Sequence, residues 1–296
     1  LIYATSAVLN INFFKMGIKK FKPTTPWRRA MTGNTFEEIT TQTPYKALTV
    51  TLKKHAGRNN TGTITIRHQG WGHAKKYRLV DFYFHDKKSI PAKVETIEYD
   101  PYRTAWISLV CYKDGERRYV LAHKDMKVWD KIVTDEKTPL VSGNRLQVGN
   151  IPVGLSVHNV ELIVGQGASS VRAAGSKAII NSQEWEYTQI KMPSGEIRLV
   201  HKKCYATLGQ VSNPDNNQIV IGKAWRTRHM WVRPTVLGKS MNPVDHPHGG
   251  WEWHNPIGMK WPKTPWWKIA LWGKTRSRKN TSSKWILRTR KGKLMI

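Results

Sequence analysis

The chain has 296 residues, and its 49 Lys and Arg outnumber its 20 Asp and Glu to give a formal net charge of +29 at pH 7. Such an excess must be balanced by counterions or by a bound anion, so nucleic acid is the first candidate partner and an anionic membrane the second. The membrane alternative requires a long apolar run or a basic amphipathic helix, and since the sequence shows neither, we expect no membrane insertion.

Residues 1–54 are predicted to form an N-terminal extension and a basic arm. Residues 1–14 lean apolar but are interrupted by Thr, Ser and Asn, and no Lys or Arg precedes them, so we expect neither a membrane span nor a standard secretory signal. They also lack the Arg-rich character of a transit peptide. Basic residues then alternate with Pro and Thr around one strand-like run, 47–52. This composition is typical of an arm that becomes ordered on its partner.

Residues 55–130 are predicted to form a small closed β-barrel. Apolar residues come in short, mostly alternating segments that are separated by Gly, Pro or Asp, which is the pattern of half-buried strands. Asp114-Gly115 between two such segments predicts a hairpin turn. About five strands in this length favour a barrel of antiparallel strands.

Residues 131–215 repeat the pattern and predict a second small barrel. Strands are expected at 157–164, 178–181, 185–192, 197–201 and 205–208, with a turn at 193–196. Helix is predicted to be scarce throughout, so the fold class is all-β.

Residues 216–296 are predicted to form a long, irregular, basic and Trp-rich extension, because the strand pattern fades after about residue 221. From Ile221 onward there are 17 Lys and Arg but only two acidic residues, Asp245 and Glu252. A segment that cannot bury a core yet carries so much charge is expected to be ordered by what it binds, and phosphate is the matching ligand.

Within this extension, residues 242–250 read NPVDHPHGG and form a rigid, non-helical loop that presents Asn242, Asp245, His246 and His248. One hypothesis makes Asp245 and His246 a carboxylate-oriented general base for acyl transfer, but nearby Ser240 lacks the setting of an activated nucleophile. The alternative, which we favour, is a structural loop whose polar groups bind backbone or RNA.

Zinc binding is a further hypothesis for this loop. His246, His248 and His254 could combine with Asp245, but these ligands would crowd into one loop without the second-shell support that metal sites use. We therefore predict no metal ligand, and imidazoles that contact solvent or RNA.

The tryptophans of the extension allow two interpretations. Nine of the chain's 14 Trp lie there: Trp225, Trp231, Trp251, Trp253, Trp261, Trp266, Trp267, Trp272 and Trp285. They could anchor the extension in a neighbouring protein, or they could stack on unpaired bases.

A series of specific motifs runs in order along nearly the whole chain, from about residue 21 to 291. They are Gly57-Arg58-Asn59-Asn60, Ile64-Thr65 with Arg67-His68, Gly70, Gly72-His73, Tyr77-Arg78, Val80-Asp81-Phe82, Glu98-Tyr99-Asp100-Pro101, Tyr112-Lys113-Asp114-Gly115-Glu116-Arg117-Arg118-Tyr119, Asn150-Ile151-Pro152-Val153-Gly154, Val157-His158-Asn159-Val160-Glu161, Ala206-Thr207-Leu208-Gly209, Val232-Arg233-Pro234-Thr235-Val236 and the nonapeptide 242–250. In these motifs the chain resembles ribosomal protein two of the large subunit, in its bacterial and organellar form.

The resemblance implies an oligonucleotide-binding-like (OB-like) five-stranded barrel at 55–130 and an SH3-like barrel at 131–215. It also implies binding to large-subunit rRNA near the peptidyl-transferase region, support of subunit association, and contacts with neighbouring ribosomal proteins and the small subunit. His246 matches a histidine of the family for which a catalytic part has been suggested. Because the catalytic centre is RNA, the resemblance implies a supporting role for His246, no enzyme activity, and no cofactor beyond structural Mg²⁺ held by the rRNA.

The chain departs from the family pattern at several tryptophans. Trp251 and Trp253 follow the nonapeptide where further glycines are usual, and Trp71, Trp225 and Trp267 replace expected small residues. Each change adds a large aromatic face and removes easy access to positive φ. The family's N-terminus aligns near Met16, so 1–15 are extra, and the divergent, Trp-rich chain is expected to belong to a mitochondrial ribosome, with encoding in the organelle and import both left open.

Eighteen residues are predicted to contact RNA, through phosphates, base faces or the nonapeptide loop. They are Arg58, Asn59, Asn60, Arg67, His68, Arg78, Arg172, Arg226, Arg228, Arg233, Asn242, Asp245, His246, His248, Trp266, Lys274, Arg276 and Arg278. Two rival functions remain open, namely an acyl-transfer enzyme that uses Asp245 and His246, and a free-standing single-strand-binding module with two barrels.

Overall fold

The computed structural model describes residues 17–250, 256–271, 273, 275–277 and 279–294. Short antiparallel strands dominate these residues, and the two α-helices among them are short: α1, Pro26–Arg29, and α2, Ala224–His229. The all-β prediction is confirmed. The extra segment 1–15 lies outside the described residues.

A four-stranded antiparallel sheet forms the body of the first domain. Its strands are β5 Ala92–Glu98, β6 Ile107–Tyr112, β7 Arg117–Leu121 and β8 Lys131–Ile132, in the order β7-β6-β5-β8. The predicted hairpin at Asp114-Gly115 is confirmed, since it joins β6 to β7 with Gly115 at φ +86°. A two-stranded ladder of β3 Thr49–Val50 and β4 Tyr77–Arg78 is linked to β7 by a bridge between Val80 and Tyr119.

The core of this domain lies on one face of the sheet. Alternating residues of the strands, among them Val94, Val110 and Val120, pack with Phe84, Trp106 and Met126. The period-two alternation of apolar residues thus correctly predicted these strands, because every second side chain of a strand points to the same face.

A seven-stranded antiparallel sheet forms the second domain, in the order β17-β15-β14-β13-β10-β16-β9. The strands are β9 Arg145–Gln147, β10 Ser156–His158, β13 Ala178–Glu184, β14 Tyr187–Lys191, β15 Ile197–His201, β16 Tyr205–Leu208 and β17 Ile286–Arg288. A separate pair is formed by β11 Val160–Glu161 and β12 Ala168–Ser170. The expected turn at 193–196 joins β14 to β15, with Gly195 at φ +85°.

One expected strand, 157–164, is divided in two. Asn159 has φ +52° and separates β10 from β11, so the chain leaves one sheet and enters another ladder. An apolar run alone does not reveal such a break, because the side chains on both sides remain buried.

A separate apolar cluster lies between the two domains. Ile107, Leu109 and Tyr119 of the first sheet pack with Ala174 and Val211 of the second domain. Main-chain bonds cross the same boundary, including the N–H of Ser212 to the carbonyl of Ala122 at 3.1 Å and the N–H of Lys124 to that of Gln210 at 2.8 Å. Burial and hydrogen bonds thus hold the two sheets together.

The described part of the N-terminal arm is tied to the rest of the chain. Its strands β1 Ile18–Lys20 and β2 Thr32–Asn34 pair with each other. The N–H of Thr32 donates to the carbonyl of Val220, and the N–H of Tyr45 donates to the hydroxyl of Tyr119 at 2.7 Å. The described part of the arm therefore contacts the rest of the chain, and its ordering by a partner stays a prediction.

The expectation that the C-terminal extension lacks ordered strands is wrong at one place. Strand β17 pairs with β15 at the edge of the second sheet, and Ile286 is buried against that sheet. At Ile64 and Ile66 the alternating apolar pattern suggested a half-buried strand that is not formed. Both side chains are exposed in an irregular loop. The predicted domain limits at 54, 130 and 215 stay predictions, although β8 extends the first sheet to Ile132.

No helix among the described residues is long and apolar enough to cross a membrane.

Candidate nucleic-acid interface

The Gly57-Arg58-Asn59-Asn60 motif forms a loop that is closed by its own asparagine. The side-chain oxygen of Asn59 accepts the N–H groups of Thr61 and Thr63, both at 3.0 Å. Arg58, Asn59 and Asn60 are exposed on this loop. An Asn that satisfies the backbone of a turn leaves neighbouring side chains free for a ligand.

The extension runs beside this loop and pairs with it. The carbonyl of His68 accepts the N–H of Arg233 at 3.1 Å, the N–H of Gly70 donates to the carbonyl of Trp231, and Gln69 forms a bridge with Val232. Two predicted RNA contacts that are far apart in sequence, His68 and Arg233, are thereby brought together.

Trp266 joins the same surface. The guanidinium of Arg67 lies 5.6 Å from the centroid of the Trp266 ring, and both side chains are exposed. A guanidinium beside an indole offers a nucleotide both phosphate contact and a stacking face. Segments from the first domain and the extension thus form one basic and aromatic surface.

A groove in this surface has lysines that were not predicted as contacts. It is lined by Leu52, Lys53, Lys54, His55, Ala56, Arg67, His68, Gln69, Lys75, Tyr102, Met230, Trp231 and Val232. None of these lining residues is acidic, so the groove is suited to an anion. The runs Lys53-Lys54-His55 and Lys75-Lys76, which flank the motif loop, were the sequence signal for it.

The nonapeptide loop folds around a buried imidazole. The carbonyl of Asn242 accepts the N–H groups of Asp245 at 3.0 Å and His246 at 3.2 Å, which makes a tight turn. His246 is 8% exposed and lies on Gly238, where an added methyl carbon would come within 2.5 Å of the ring. The ring is therefore packed in place, and its own backbone holds the turn.

His246 and His248 form a chain of hydrogen bonds that leads to Lys263. Nδ1 of His246 accepts the N–H of His248 at 3.1 Å, and Nε2 of His248 accepts the N–H of Lys263 at 2.8 Å. A nitrogen that accepts a backbone N–H carries no proton, so this geometry makes Nδ1 of His246 and Nε2 of His248 hydrogen-bond acceptors. Burial, and then the neighbouring His246, lower the pKa of His248.

The acyl-transfer hypothesis finds no dyad in this geometry. Asp245 is exposed, and within the described residues neither a hydrogen bond nor an ion pair joins its carboxylate to His246. Nδ1 of His246, which an orienting carboxylate would have to accept from, instead accepts the N–H of His248. The loop is built around backbone contacts.

Across the described ranges, no group of three or more His, Cys, Asp or Glu is arranged to hold a metal ion. His254, which the zinc hypothesis requires, lies outside those ranges, as do Trp251, Glu252, Trp253 and Trp272. The predicted contacts Lys274 and Arg278 also lie outside them.

The other predicted contacts are placed in different ways. Arg172 is exposed, with its guanidinium 4.6 Å from the Phe82 ring. Arg226 donates to the carbonyl of Thr32 at 2.7 Å, and Arg228 is half-buried beside it on α2. Arg276 is exposed and donates to the hydroxyls of a serine pair, Ser282 and Ser283.

Arg78 is the exception among these residues because it is buried. Its guanidinium donates to the carbonyl of Lys76 at 2.9 Å, and its charge helps to hold down the pKa of Glu98, which burial raises. Little of this side chain is left for a phosphate, so its position favours a structural role within the first domain.

Two family models match the chain. Residues 45–134 match Ribosomal Proteins L2, RNA binding N-terminal domain, and residues 141–285 match Ribosomal Proteins L2, C-terminal domain. The domains of this family are OB-like and SH3-like, as predicted for the first and second sheets. Its partners are rRNA and other ribosomal proteins. The chain belongs to the ribosomal protein L2 family and is an RNA-binding structural protein of the large ribosomal subunit.

Proposed function

We propose that this protein supports the peptidyl-transferase region of the large subunit with the loop 242–250. The observation that carries the proposal is the hydrogen-bonded pair His246 and His248, which fixes the loop before RNA binds. A preformed loop loses less conformational entropy on binding, so it can stabilise one RNA conformation without changing its own. Val244 at its tip is 90% exposed and available for contact.

The protein acts in this proposal as a scaffold and not as an enzyme. Nδ1 of His246 accepts a backbone N–H, that of His248. This bond occupies the nitrogen that a general base of the Asp-His type would direct toward its carboxylate. Peptidyl transfer is assigned to the rRNA, and His246 supports it by holding the loop. The protein needs no cofactor, and structural Mg²⁺ is held by the rRNA.

Subunit association follows as a second part of the proposal. The seven-stranded sheet and the basic surface around Arg67 are formed by different parts of the molecule, so the protein can bind rRNA while another face meets the small subunit. Neighbouring ribosomal proteins offer further contacts. The mitochondrial compartment stays a prediction whose basis is the Trp-rich, divergent sequence, and fractionation of the cell's ribosomes would test it.

The proposal is tested by placing a hydroxyl-radical probe on the loop. Val244→Cys, carrying a tethered probe and assembled into the large subunit, is expected to cleave the rRNA of the peptidyl-transferase region. Val153→Cys, at an exposed turn of the second domain, is the matched control and should cleave elsewhere. If the probe at Val244 cleaved the same rRNA positions as the probe at Val153, away from the peptidyl-transferase region, the proposed placement of the loop would be refuted.

A further inference from the structure

Among the described residues, five tryptophans have a backbone conformation that glycine favours. Their φ angles are +61° at Trp71, +78° at Trp129, +39° at Trp185, +74° at Trp231 and +62° at Trp267. In this region the Cβ atom of an L-residue lies too close to its own backbone, and bulky residues are outliers there. Four of the five occur in backbone motifs whose geometry requires the conformation.

Trp185 stands at the tip of a tight hairpin. Glu184 and Tyr187 are partners in the ladder of β13 and β14, so the loop consists of Trp185 and Glu186 alone. Of these two, Trp185 has positive φ. That is the pattern of a type II′ turn, which has glycine at its first central position.

Trp129 is the third residue of a turn from Lys127 to Asp130. The N–H of Asp130 donates to the carbonyl of Lys127, and φ at Trp129 is +78°. A turn with positive φ at its third residue is of the type II pattern, where glycine is the usual residue.

Trp231 ends helix α2 in a Schellman motif. The N–H of Trp231 donates to the carbonyl of Arg228, and the N–H of Val232 donates to that of Thr227. Met230 is the C-cap, so Trp231 takes the left-handed position that follows it. Glycine fills this position in most helices that end this way.

Trp267 closes a three-residue hairpin loop. The N–H of Thr264 donates to the carbonyl of Lys268 at 2.7 Å, and the N–H of Trp267 donates back to the carbonyl of Thr264. The last residue of such a loop adopts the left-handed conformation of a G1 bulge, which is named for its glycine. Its neighbour Trp266 has an ordinary φ.

The side chains of these tryptophans do not explain the strain. Trp185 is 95% exposed, and Trp71, Trp129 and Trp267 also lie mainly in solvent. The rings of Trp71 and Trp129 each contact a single basic side chain, Arg233 at 5.9 Å and Lys93 at 4.0 Å. Trp231 alone donates its indole N–H to a protein acceptor, the carbonyl of His73.

Aromatic residues whose side chains have a packed site in the fold differ from these tryptophans in burial. Trp106, with ordinary φ, is 4% exposed and donates its indole N–H to Glu38 at 2.9 Å. Phe84 has positive φ but is buried in the core of the first domain. Trp71, Trp129, Trp185 and Trp267 therefore combine a glycine-type backbone with an exposed side chain. The ring of Trp231 is instead partly covered, with Lys54 at 3.8 Å and a hydrogen bond to His73, so at Trp231 the argument rests on the backbone motif.

We propose that the tryptophans at 129, 185, 231 and 267 represent a codon that the cell of origin decodes as glycine. One reassigned codon accounts for four unrelated motifs at once, whereas four independent replacements of glycine by the largest side chain would each add strain. Trp71, which is flanked by Gly70 and Gly72, belongs to the same set. The inference is independent of the proposed function, but it lowers the Trp content, which is one of the two grounds for the mitochondrial prediction.

Peptide mass mapping of the protein from its own ribosomes tests the proposal directly. The tryptic peptide 264–268 carries two adjacent tryptophans, and we expect Trp266 to be retained while position 267 is glycine. The peptide 104–113 should retain Trp106, which controls for a general loss of tryptophan. Tryptophan at 267 in the native peptide would overturn the proposal.

A stability measurement on recombinant protein tests the physical premise. The variant with Trp129→Gly, Trp185→Gly, Trp231→Gly and Trp267→Gly is expected to unfold at a higher temperature than the tryptophan-containing chain. Trp225→Gly is the matched control, since this exposed tryptophan lies in helix α2 with an ordinary φ, and glycine there should lower the unfolding temperature. A fall in the unfolding temperature of the four-site variant would contradict the inference.

Discussion

At the scale of single residues, the second domain contains an imidazole that must stay neutral. His158 is buried, and its ring Nδ1 lies 3.1 Å from the carbonyl of Gly209, to which it donates when protonated at that nitrogen. Burial lowers the pKa of His158 to about 3, from a usual value of 6.5. The folded state therefore resists a proton that the unfolded chain accepts readily.

This difference predicts that the free energy of unfolding decreases as pH is lowered below 6.5. Between pH 6.5 and about 3 the unfolded state binds one more proton at His158 than the folded state, so the free energy of unfolding drops by about 1.4 kcal/mol per pH unit as pH falls. His158→Gln removes this term and should flatten the dependence by that amount. Urea unfolding at several pH values across the range measures both slopes, and equal slopes would contradict the assignment.

Residue composition and motif order were enough to indicate most of the candidate interface, but not the burial of its members. Arg78 sits beside exposed contacts in sequence, yet β4 turns it into the first domain. His246 was expected to bind backbone or RNA, or to act as a base, and it is buried on Gly238 with its Nδ1 accepting a backbone N–H. Such differences depend on which face of a loop or strand meets the core, and this is a tertiary property that local spacing does not encode.

At the scale of elements, two hairpin turns were predicted correctly, whereas a break within an apolar run and a long-range strand pairing were not. The turns at Gly115 and Gly195 were predictable because a hairpin needs only a few adjacent residues to specify it. Strand β17 was missed because its partner β15 lies far upstream in the sequence and its own three residues carry little pattern. Edge strands of this kind become visible only when the rest of the sheet is in place.

The attachment of β17 predicts that one apolar side chain anchors the extension. Ile286→Ala should destabilise the protein by about 2 to 5 kcal/mol, because Ile286 is 5% exposed and its removal leaves a cavity. Leu294→Ala is the matched control, since that side chain is 63% exposed, and its effect should stay within about 0.5 kcal/mol. Equal effects in chemical unfolding would show that β17 does not pack on the second sheet.

At the scale of the whole molecule, several carboxylates of the first domain are paired with basic side chains of the same domain. Arg118 is bonded to three carboxylates, those of Asp81, Asp86 and Glu116, and Lys87 contacts Asp114. Arg117 is likewise paired, with Glu95 at 2.8 Å. The cations of the groove and the extension therefore have few carboxylates near them, and their charge is available for RNA phosphates.

This division of charge predicts which arginines set the salt dependence of RNA binding. Arg67 and Arg233 are exposed on the basic surface, so Arg67→Ala with Arg233→Ala should weaken binding to large-subunit rRNA and reduce the slope of log K against log salt by about two units. Arg117→Ala removes one positive charge from an exposed arginine that Glu95 already neutralises, and it should leave the slope as it is. Titrations of an rRNA fragment at several salt concentrations give the slopes. If Arg117→Ala lowered the slope by about one unit, half the effect of the double variant, binding would depend on net charge alone. The assigned surface would then be wrong.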